Sequence, residues 1–528
     1  MLKSWLRKEI SVKFPDIKFD VLTPPDDKMG DYSINLAFAL AKRQKTDPMS
    51  SGKNLIGEFS GDKEMRKYFS KIQLVPPGFI NFYLSEDFLR NIVQEILKEG
   101  ENYGSSKSGE GTKINLEFVS ANPTGPLTVG NARAASFGDT LANVLKKTGY
   151  EVSKEYYIND VGVQVQKLSE SIRLRMKNEE VGEGLYQGEY IKEIAQDFSG
   201  RGVSGEDVVA EAVSTMTEKA KSTMKAIGVV FDEWFHESKL HESGEVKEVL
   251  EKLDSKGFVI EEDGAKWLKI SDEQKAVLVK SDGSTTYLAN DIAYTKNKFE
   301  RGFTSAINVW GADHHGDVVR LKAGVAALGY DSDRLEILLH QLVVLKKDGE
   351  SIRMSKRKGN IETLDDLLAE VGKDAVRFFF LTRDLNTHME FDIDLAKKES
   401  KENPVYYVQY AFARLNSIFE KIKNENLNSK IANKNLKLLK ENEELKLLKD
   451  LAKFPEVVGD ISEDYQVHHL GQYALDLAGD FHKFYEKHHV IQENNPELQS
   501  SRVALARAVQ TVLKICLELM GLSAPEKM

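Results

Sequence analysis

Three stretches of the chain carry side chains whose types and spacing could do chemistry. The first is a basic turn, Leu345-Lys346-Lys347-Asp348-Gly349-Glu350-Ser351-Ile352-Arg353-Met354-Ser355-Lys356-Arg357-Lys358-Gly359-Asn360. A cation aimed at growing negative charge lowers the barrier to its formation. Lys356 suits that task best, because a flexible ammonium can follow a charge that moves. Many basic turns are only solvated surface, and residue types alone leave both readings open. The second stretch is Glu117-Phe118-Val119-Ser120-Ala121-Asn122-Pro123-Thr124-Gly125-Pro126-Leu127-Thr128-Val129-Gly130-Asn131. Pro123, Gly125 and Pro126 fix a tight path, and Gly130 leaves room for a ligand near the backbone. The helix that follows opens with unpaired N–H groups and a positive dipole end, which suit a phosphate. A plain structural crossover would look the same. The third stretch, Ser281 to Tyr294, sets Tyr287 and Asp291 one helical turn apart on a shared face. A fixed carboxylate there could pair bidentately with a planar guanidinium. An ordinary surface aspartate is the commoner fate.

These residues need a scaffold that holds strand ends beside helix starts. Apolar runs predict strands at 114–119, 307–310 and 337–339, with a helix over 131–148 closed by Gly149. Such alternation argues for a parallel α/β sheet, whose carboxyl edge is where nucleotides bind. Charged helices and a hairpin-like Trp267-Leu268-Lys269-Ile270 interrupt the pattern over about 166–273, which reads as an insertion. Upstream, residues 1–104 read as a small α+β unit. It has helices near 1–13 and 32–43 and a strand at 79–84 after Pro76-Pro77-Gly78. The polar run 104–111 reads as a linker. After Asp365 the spacing predicts helices to the end, including 406–423, 444–453, 473–488 and 501–520, arranged as a bundle.

Composition narrows the class of protein. The chain has 528 residues, 41% hydrophobic, enough for several cores. A membrane span is not expected, and charge breaks the first eight residues too early for a signal peptide. The single cysteine, Cys516, can form neither an internal disulfide nor a thiolate zinc cluster, and a reducing cytoplasm is expected. The net charge of −10 does not advertise nucleic-acid binding, although a large acidic body can carry a local basic face.

Read as a string, the segment from Glu117 to Asn131 resembles the first signature of arginyl-tRNA synthetases, a class I family. There Ser-Ala-Asn-Pro-Thr-Gly-Pro leads into the HIGH motif. Tyr156-Tyr157-Ile158-Asn159-Asp160-Val161-Gly162 is similar to the same family, and Met354-Ser355-Lys356 resembles its KMSKS loop. The resemblance spans nearly the whole chain and is weakest at 44–72 and 421–449. It implies a multidomain α/β fold. A Rossmann-like parallel-sheet catalytic domain (112–364, insertion about 166–273) would follow an N-terminal α+β domain (1–104). A connecting helical segment (365–402) and a C-terminal all-α helix bundle that binds the anticodon (403–528) would complete it.

The resemblance implies roles residue by residue. Tyr287 and Asp291 would grip the guanidinium of arginine, and Glu117, Ser120, Asn122 and His315 would hold its other polar groups. Pro126, Thr128, Gly130, Asn131, Gly311, Asp313, Met354 and Lys356 would bind ATP, which Mg²⁺ would accompany; no zinc is expected. Removing Lys356 would cost roughly 10²–10³ in rate, by comparison with oxyanion donors. Thr128 and Asn131 stand where the motif has histidines and can donate hydrogen bonds, but they carry no charge. The implied reaction joins ATP and arginine as arginyl-adenylate, then esterifies the terminal 2′-hydroxyl of arginine tRNA, with activation needing bound tRNA. Phe79 and Asn81 would touch the tRNA elbow, and Tyr406 and Tyr410 would stack anticodon bases at about 1–3 kcal/mol each. The insertion would support the tRNA end without editing, since a site built for hydrogen bonds rejects poor matches strongly. A cytoplasmic monomer is expected. Two other readings stay open: a class I ligase for another amino acid, and a non-catalytic tRNA-binding relative.

Overall fold

The computed structural model describes residues 2–205, 207–352, 363–423, 435–492 and 494–528. At its centre lies a five-stranded, wholly parallel sheet. In spatial order its strands are Leu335–His340, Ser305–Gly311, Lys113–Glu117, Glu151–Ile158 and Glu233–His236. The chain leaves Lys113–Glu117 for one neighbour and returns to the other, so the sheet's switch point opens at the end of that strand. Glu117 and Asn308 lie directly opposite each other there. The strand's last four residues are all buried, as expected of a central strand covered on both faces.

The long helix after the first signature spans Val129–Lys147 and is buried along most of its length. Gly138 explains how closely it approaches the sheet: a Cβ there would lie 2.3 Å from the Phe118 ring. The polar run expected as a linker is pinned in place. Ser106 N donates to Lys147 O and Gly109 N to Thr148 O, at the C-terminal end of this helix.

The segment read as one insertion does three different things. Helices Val163–Met176, Glu189–Arg201 and Asp207–Ala226 build a small core around Leu168, Ile191, Phe198 and Met216. The chain then rejoins the main sheet as its edge strand, Glu233–His236. Finally Val259–Glu262, Ala265–Lys269 and Lys275–Val279 form an antiparallel sheet. The edge strand is half-buried and only four residues long, too short for its period to show in sequence.

A second correction concerns residues 365–402, expected to be helical. Helices Leu364–Val371 and Lys373–Phe380 are followed by a strand, Met389–Asp392. It pairs in parallel with Val343–Lys347, which also pairs antiparallel with Glu350–Ile352. The hairpin turns through Asp348 and Gly349, both at positive φ, as a tight two-residue turn requires. The hairpin leads directly into the basic loop, and residues 353–357 lie outside the described residues.

The N-terminal region is a four-stranded antiparallel sheet flanked by helices. Its strand Phe79–Leu84 falls where the sequence predicts it. The predicted helix at 32–43 divides: Tyr32–Ile34 is a strand and the helix is Leu36–Gln44. At the other end, Pro404–Lys423, Asn442–Asp464, His468–Lys487 and Pro496–Leu519 form the bundle. Cys516 is buried within it. Among the described residues no helix is long and apolar enough to cross a membrane.

Candidate active site

The first signature leaves its strand through strained backbone. Val119 and Ser120 both have positive φ, 71° and 40°, a region that costs a β-branched residue most. Neighbours hold the distortion in place. Ser120 Oγ accepts from Tyr157 N at 3.1 Å, and Tyr156 Oη clasps both backbone groups of Ala121 at 3.0–3.1 Å. Asn122 donates to Gln164 at 2.9 Å, and Tyr190 Oη donates to Thr124 O at 2.7 Å. The helical insertion therefore touches the loop it interrupts the sheet to reach.

Thr128 is the N-cap of the long helix, and Asn131 caps it in return. Asn131 Oδ1 accepts from Thr128 N at 2.8 Å and from Thr128 Oγ1 at 3.0 Å. The pair fixes the helix start and leaves the Asn131 NH₂ to donate outward. Across the switch point, Gly311 ends its strand opposite His340. A Cβ on Gly311 would lie 2.4 Å from Asp313 Oδ1, so glycine lets that exposed carboxylate fold back. Burial, followed by the nearby Arg133 charge, pushes the His340 imidazole below its ordinary pKa. Arg133 is itself fully buried, and its guanidinium donates to the carbonyls of Gln341, Asp384 and Thr387 at 2.7–3.0 Å. It fastens the signature helix to the backbone on both sides of the basic loop.

The helix Tyr287–Glu300 supplies the other wall. Tyr287, at its first position, is 60% exposed. Asp291, one turn on, is half-buried, and among the described residues no hydrogen bond engages its carboxylate. Burial first, then the Glu117 and Glu237 carboxylates, raise Asp291 well above the usual carboxylate range; Lys298 opposes the shift, and Asp317 adds to it. Glu237 is buried, accepting from Tyr157 Oη at 2.8 Å and Asn290 Nδ2 at 2.6 Å, and burial raises its carboxyl too. Glu117 is buried, with Oε2 taken by Lys298 at 2.6 Å. Three carboxylates thus converge with one lysine as counter-charge. Such a site favours a cationic guest carrying several donors.

The structure brings Glu117 close to Asp291, and Tyr287 stands exposed one turn before Asp291 on the same helix. It adds Glu237, Asp317, Gln164, Tyr190, Arg133 and His340, none of which the sequence singles out. Glu237 lies in the segment read as an insertion, and only its return to the sheet edge carries it to Asp291. His315 is exposed at the start of helix His315–Ala327; the charge from that turn that reaches Asp291 belongs to Asp317. Met354 and Lys356 lie outside the described residues.

The expected tRNA contacts divide. Asn81 is 4% exposed and its Oδ1 accepts from Ser33 at 2.7 Å, so its side chain serves the sheet and does not present itself to a base. Phe79 is half-buried and packs edge-on against Phe38. Tyr406 and Tyr410 stack, with centroids 6.0 Å apart, and Arg414 donates to Tyr410 Oη at 2.8 Å. Tyr410 and Arg414 line a cavity of about 480 Å³ with Tyr485, Lys421, Ile491 and Met528.

Comparison with known proteins places this geometry among relatives. Three family profiles match: an arginyl tRNA synthetase N terminal domain over 2–84, a class I (R) tRNA synthetase catalytic domain over 92–394, and a DALR anticodon binding domain over 408–528. An arginine–tRNA ligase of Thermotoga petrophila is 42% identical over 551 residues, covering all of both chains. One from Bacillus velezensis is 42% identical, covering all of this chain and 97% of its own. The arginyl-tRNA synthetase of Thermus thermophilus has the same fold, with a TM-score of 0.78, 22% identity and full coverage of both chains.

Proposed function

The chain belongs to the arginyl-tRNA synthetase family, and from that premise we propose that the acidic pocket at the sheet's switch point binds L-arginine. The chain is an arginine–tRNA ligase of class I. It activates arginine with ATP and transfers it to the 2′-hydroxyl of the terminal adenosine of arginine tRNA, with activation requiring the tRNA. The observation that supports the pocket assignment is the Asp291 carboxylate, which no described residue engages in a hydrogen bond, beside Glu117 and Glu237. In this reading Asp291, Tyr287 and Glu237 receive the guanidinium. Glu117 takes the α-ammonium through its remaining oxygen. Ser120 and Asn122 border the reacting carboxylate, and His315 lines the outer edge.

The first-turn amides of the signature helix, with Pro126, Thr128, Gly130 and Asn131, suit the ATP phosphates. Gly311 and Asp313 suit the ribose. An oxygen of the arginine carboxylate attacks the α-phosphorus; the bond to the bridging oxygen breaks, and pyrophosphate leaves. No enzyme nucleophile is needed, so positioning and electrostatics carry the rate. With Thr128 and Asn131 uncharged, Lys356 is the cation for the departing pyrophosphate, helped by Met354. Mg²⁺ would accompany the ATP phosphates.

We further assign residues 1–104 and 403–528 to tRNA binding. Phe79 would act at the elbow, and Tyr406 and Tyr410 would border the anticodon cavity with Arg414. A cytoplasmic monomer is the proposed working form. Pyrophosphate exchange measured for each amino acid in the presence of tRNA tests the central assignment. Exchange with arginine alone is expected; exchange with another amino acid and none with arginine would overturn it.

A further inference from the structure

The buried lysine that offsets Glu117 has no direct part in the proposed binding of arginine or ATP. Lys298 lies on the same helix as Tyr287 and Asp291, and its side chain is fully buried. Its ammonium donates to Glu117 Oε2 at 2.6 Å and to Asn308 Oδ1 at 2.8 Å, and it stands 4.3 Å from the centre of the Tyr294 ring. Glu117 and Asn308 face each other on the two strands that flank the switch point. Lys298 therefore ties both strand ends to the helix that carries the guanidinium site.

The geometry matters because arginine carries a cation at each end. A guanidinium is best received by two oxygens in a fork, an ammonium by single acceptors. Glu117 and Asp291 are both carboxylates within the same pocket, so charge alone does not say which end binds where. Lys298 breaks the symmetry by taking one oxygen of Glu117. Asp291 keeps both of its oxygens.

We propose that Lys298 is a positioning residue that sets the direction in which arginine lies in the pocket, by occupying one oxygen of Glu117 and leaving a single acceptor for the α-ammonium. The fork is then offered by Asp291, with Tyr287 and Glu237 beside it, and the carboxylate of the substrate is carried toward the phosphate-binding helix. The same lysine also offsets one of the three convergent negative charges. The proposal rests on the reading that Glu117 receives the α-ammonium, and the test separates the two.

The probes are L-arginine as substrate and 5-guanidinopentanoic acid, which lacks only the α-amino group, as competitor in tRNA-dependent pyrophosphate exchange. Lys298→Met is expected to raise the KM for arginine about 10- to 100-fold, the scale of one charged hydrogen bond. The KM for ATP stays within about twofold, and the competitor's Ki is unchanged, because that ligand never uses Glu117. The ratio of the competitor's Ki to arginine's KM therefore collapses. Glu117→Gln should collapse the same ratio, and the double variant should be no worse than Glu117→Gln alone. If Lys298→Met keeps the wild-type ratio while Glu117→Gln loses it, the proposal is overturned and the reading of Glu117 stands. If Glu117→Gln keeps the ratio, the reading itself fails. A Lys298 that merely supports the fold would lower the melting temperature and raise both constants together, which also overturns the proposal. Should Lys298→Met not fold, Asn308→Ala loosens the lysine without burying an unpaired charge. A fall in the ratio of about threefold or more then supports the proposal, and an unchanged ratio overturns it.

Discussion

Under the proposed assignment, Asp291 is poor for the fold and good for the ligand. Its carboxyl is raised by burial and by Glu117 and Glu237. From about pH 3.9, the ordinary aspartate value, up to its raised value, the folded protein holds a proton that the unfolded chain has released. The ligand-free protein therefore loses stability as pH rises through that window and does not regain it above. Arginine needs the ionised carboxylate, so the rise in melting temperature on adding arginine should grow with pH across the same window. Asp291→Asn is expected to melt higher than the parent without ligand at neutral pH, to lose the arginine-induced rise, and to raise the arginine KM about 10²-fold or more. Thermal scans with and without arginine, together with exchange kinetics, check all three. The shared helical face of Tyr287 and Asp291 was legible because a four-residue spacing needs no tertiary knowledge, whereas their assignment to arginine comes from the resemblance alone. Glu237 was not legible. It comes from more than a hundred residues beyond the first signature, and no local period marks it. Thr128 and Asn131 stood out as replacements, yet their mutual capping emerges only from the folded turn.

At the level of elements, the sequence identified the pieces that meet at the site and misjudged those that join it from outside. Long buried runs such as 114–119 and the helix after Thr128 carry their own period. Glu233–His236 and Met389–Asp392 are four residues each, and their pairing is decided by partners remote in sequence. The close packing of the signature helix is likewise a tertiary fact. Gly138 sits against Phe118, one residue before the strained Val119–Ser120 backbone. A methyl added at Gly138 must push either the ring or the helix. Gly138→Ala is expected to cost about 1–3 kcal/mol, although alanine is the better helix former in isolation. Chemical denaturation measures that loss. Because the displaced ring adjoins the loop that carries Ser120 and Asn122, the arginine KM should rise as well. The sign distinguishes the two effects: intrinsic helix propensity alone would stabilise the variant.

At the scale of the whole molecule, the N-terminal region is bound by more than a tether. One continuous core runs from Leu6 through the central sheet to Leu522. Four of the polar contacts at the junction fall on a single helix of the C-terminal bundle, Asn442–Asp464. Tyr32 Oη donates to Glu456 Oε1 at 2.7 Å, and Lys3 N donates to the same oxygen at 2.8 Å. Lys449 pairs with Asp31 at 2.9 Å, and Tyr103 Oη donates to Leu451 O at 2.9 Å. The two regions assigned to tRNA therefore meet each other directly, at a distance from the acidic pocket in sequence and in contacts. Composition could not disclose this, since a polar run such as 104–111 reads as a flexible spacer until its hydrogen bonds are seen. The consequence is a separation of effects. Glu456→Leu leaves a buried tyrosine hydroxyl without its acceptor, at a cost of about 1–3 kcal/mol localised to the junction. Limited proteolysis should then cut residues 85–112 faster than in the parent. Arginine-induced stabilisation should persist, because no residue of the pocket touches Glu456. Loss of tRNA affinity with arginine binding intact would mark the junction as the frame that sets the two tRNA-binding regions at a fixed spacing. Unchanged proteolysis and unchanged tRNA affinity would show that the apolar core alone holds them.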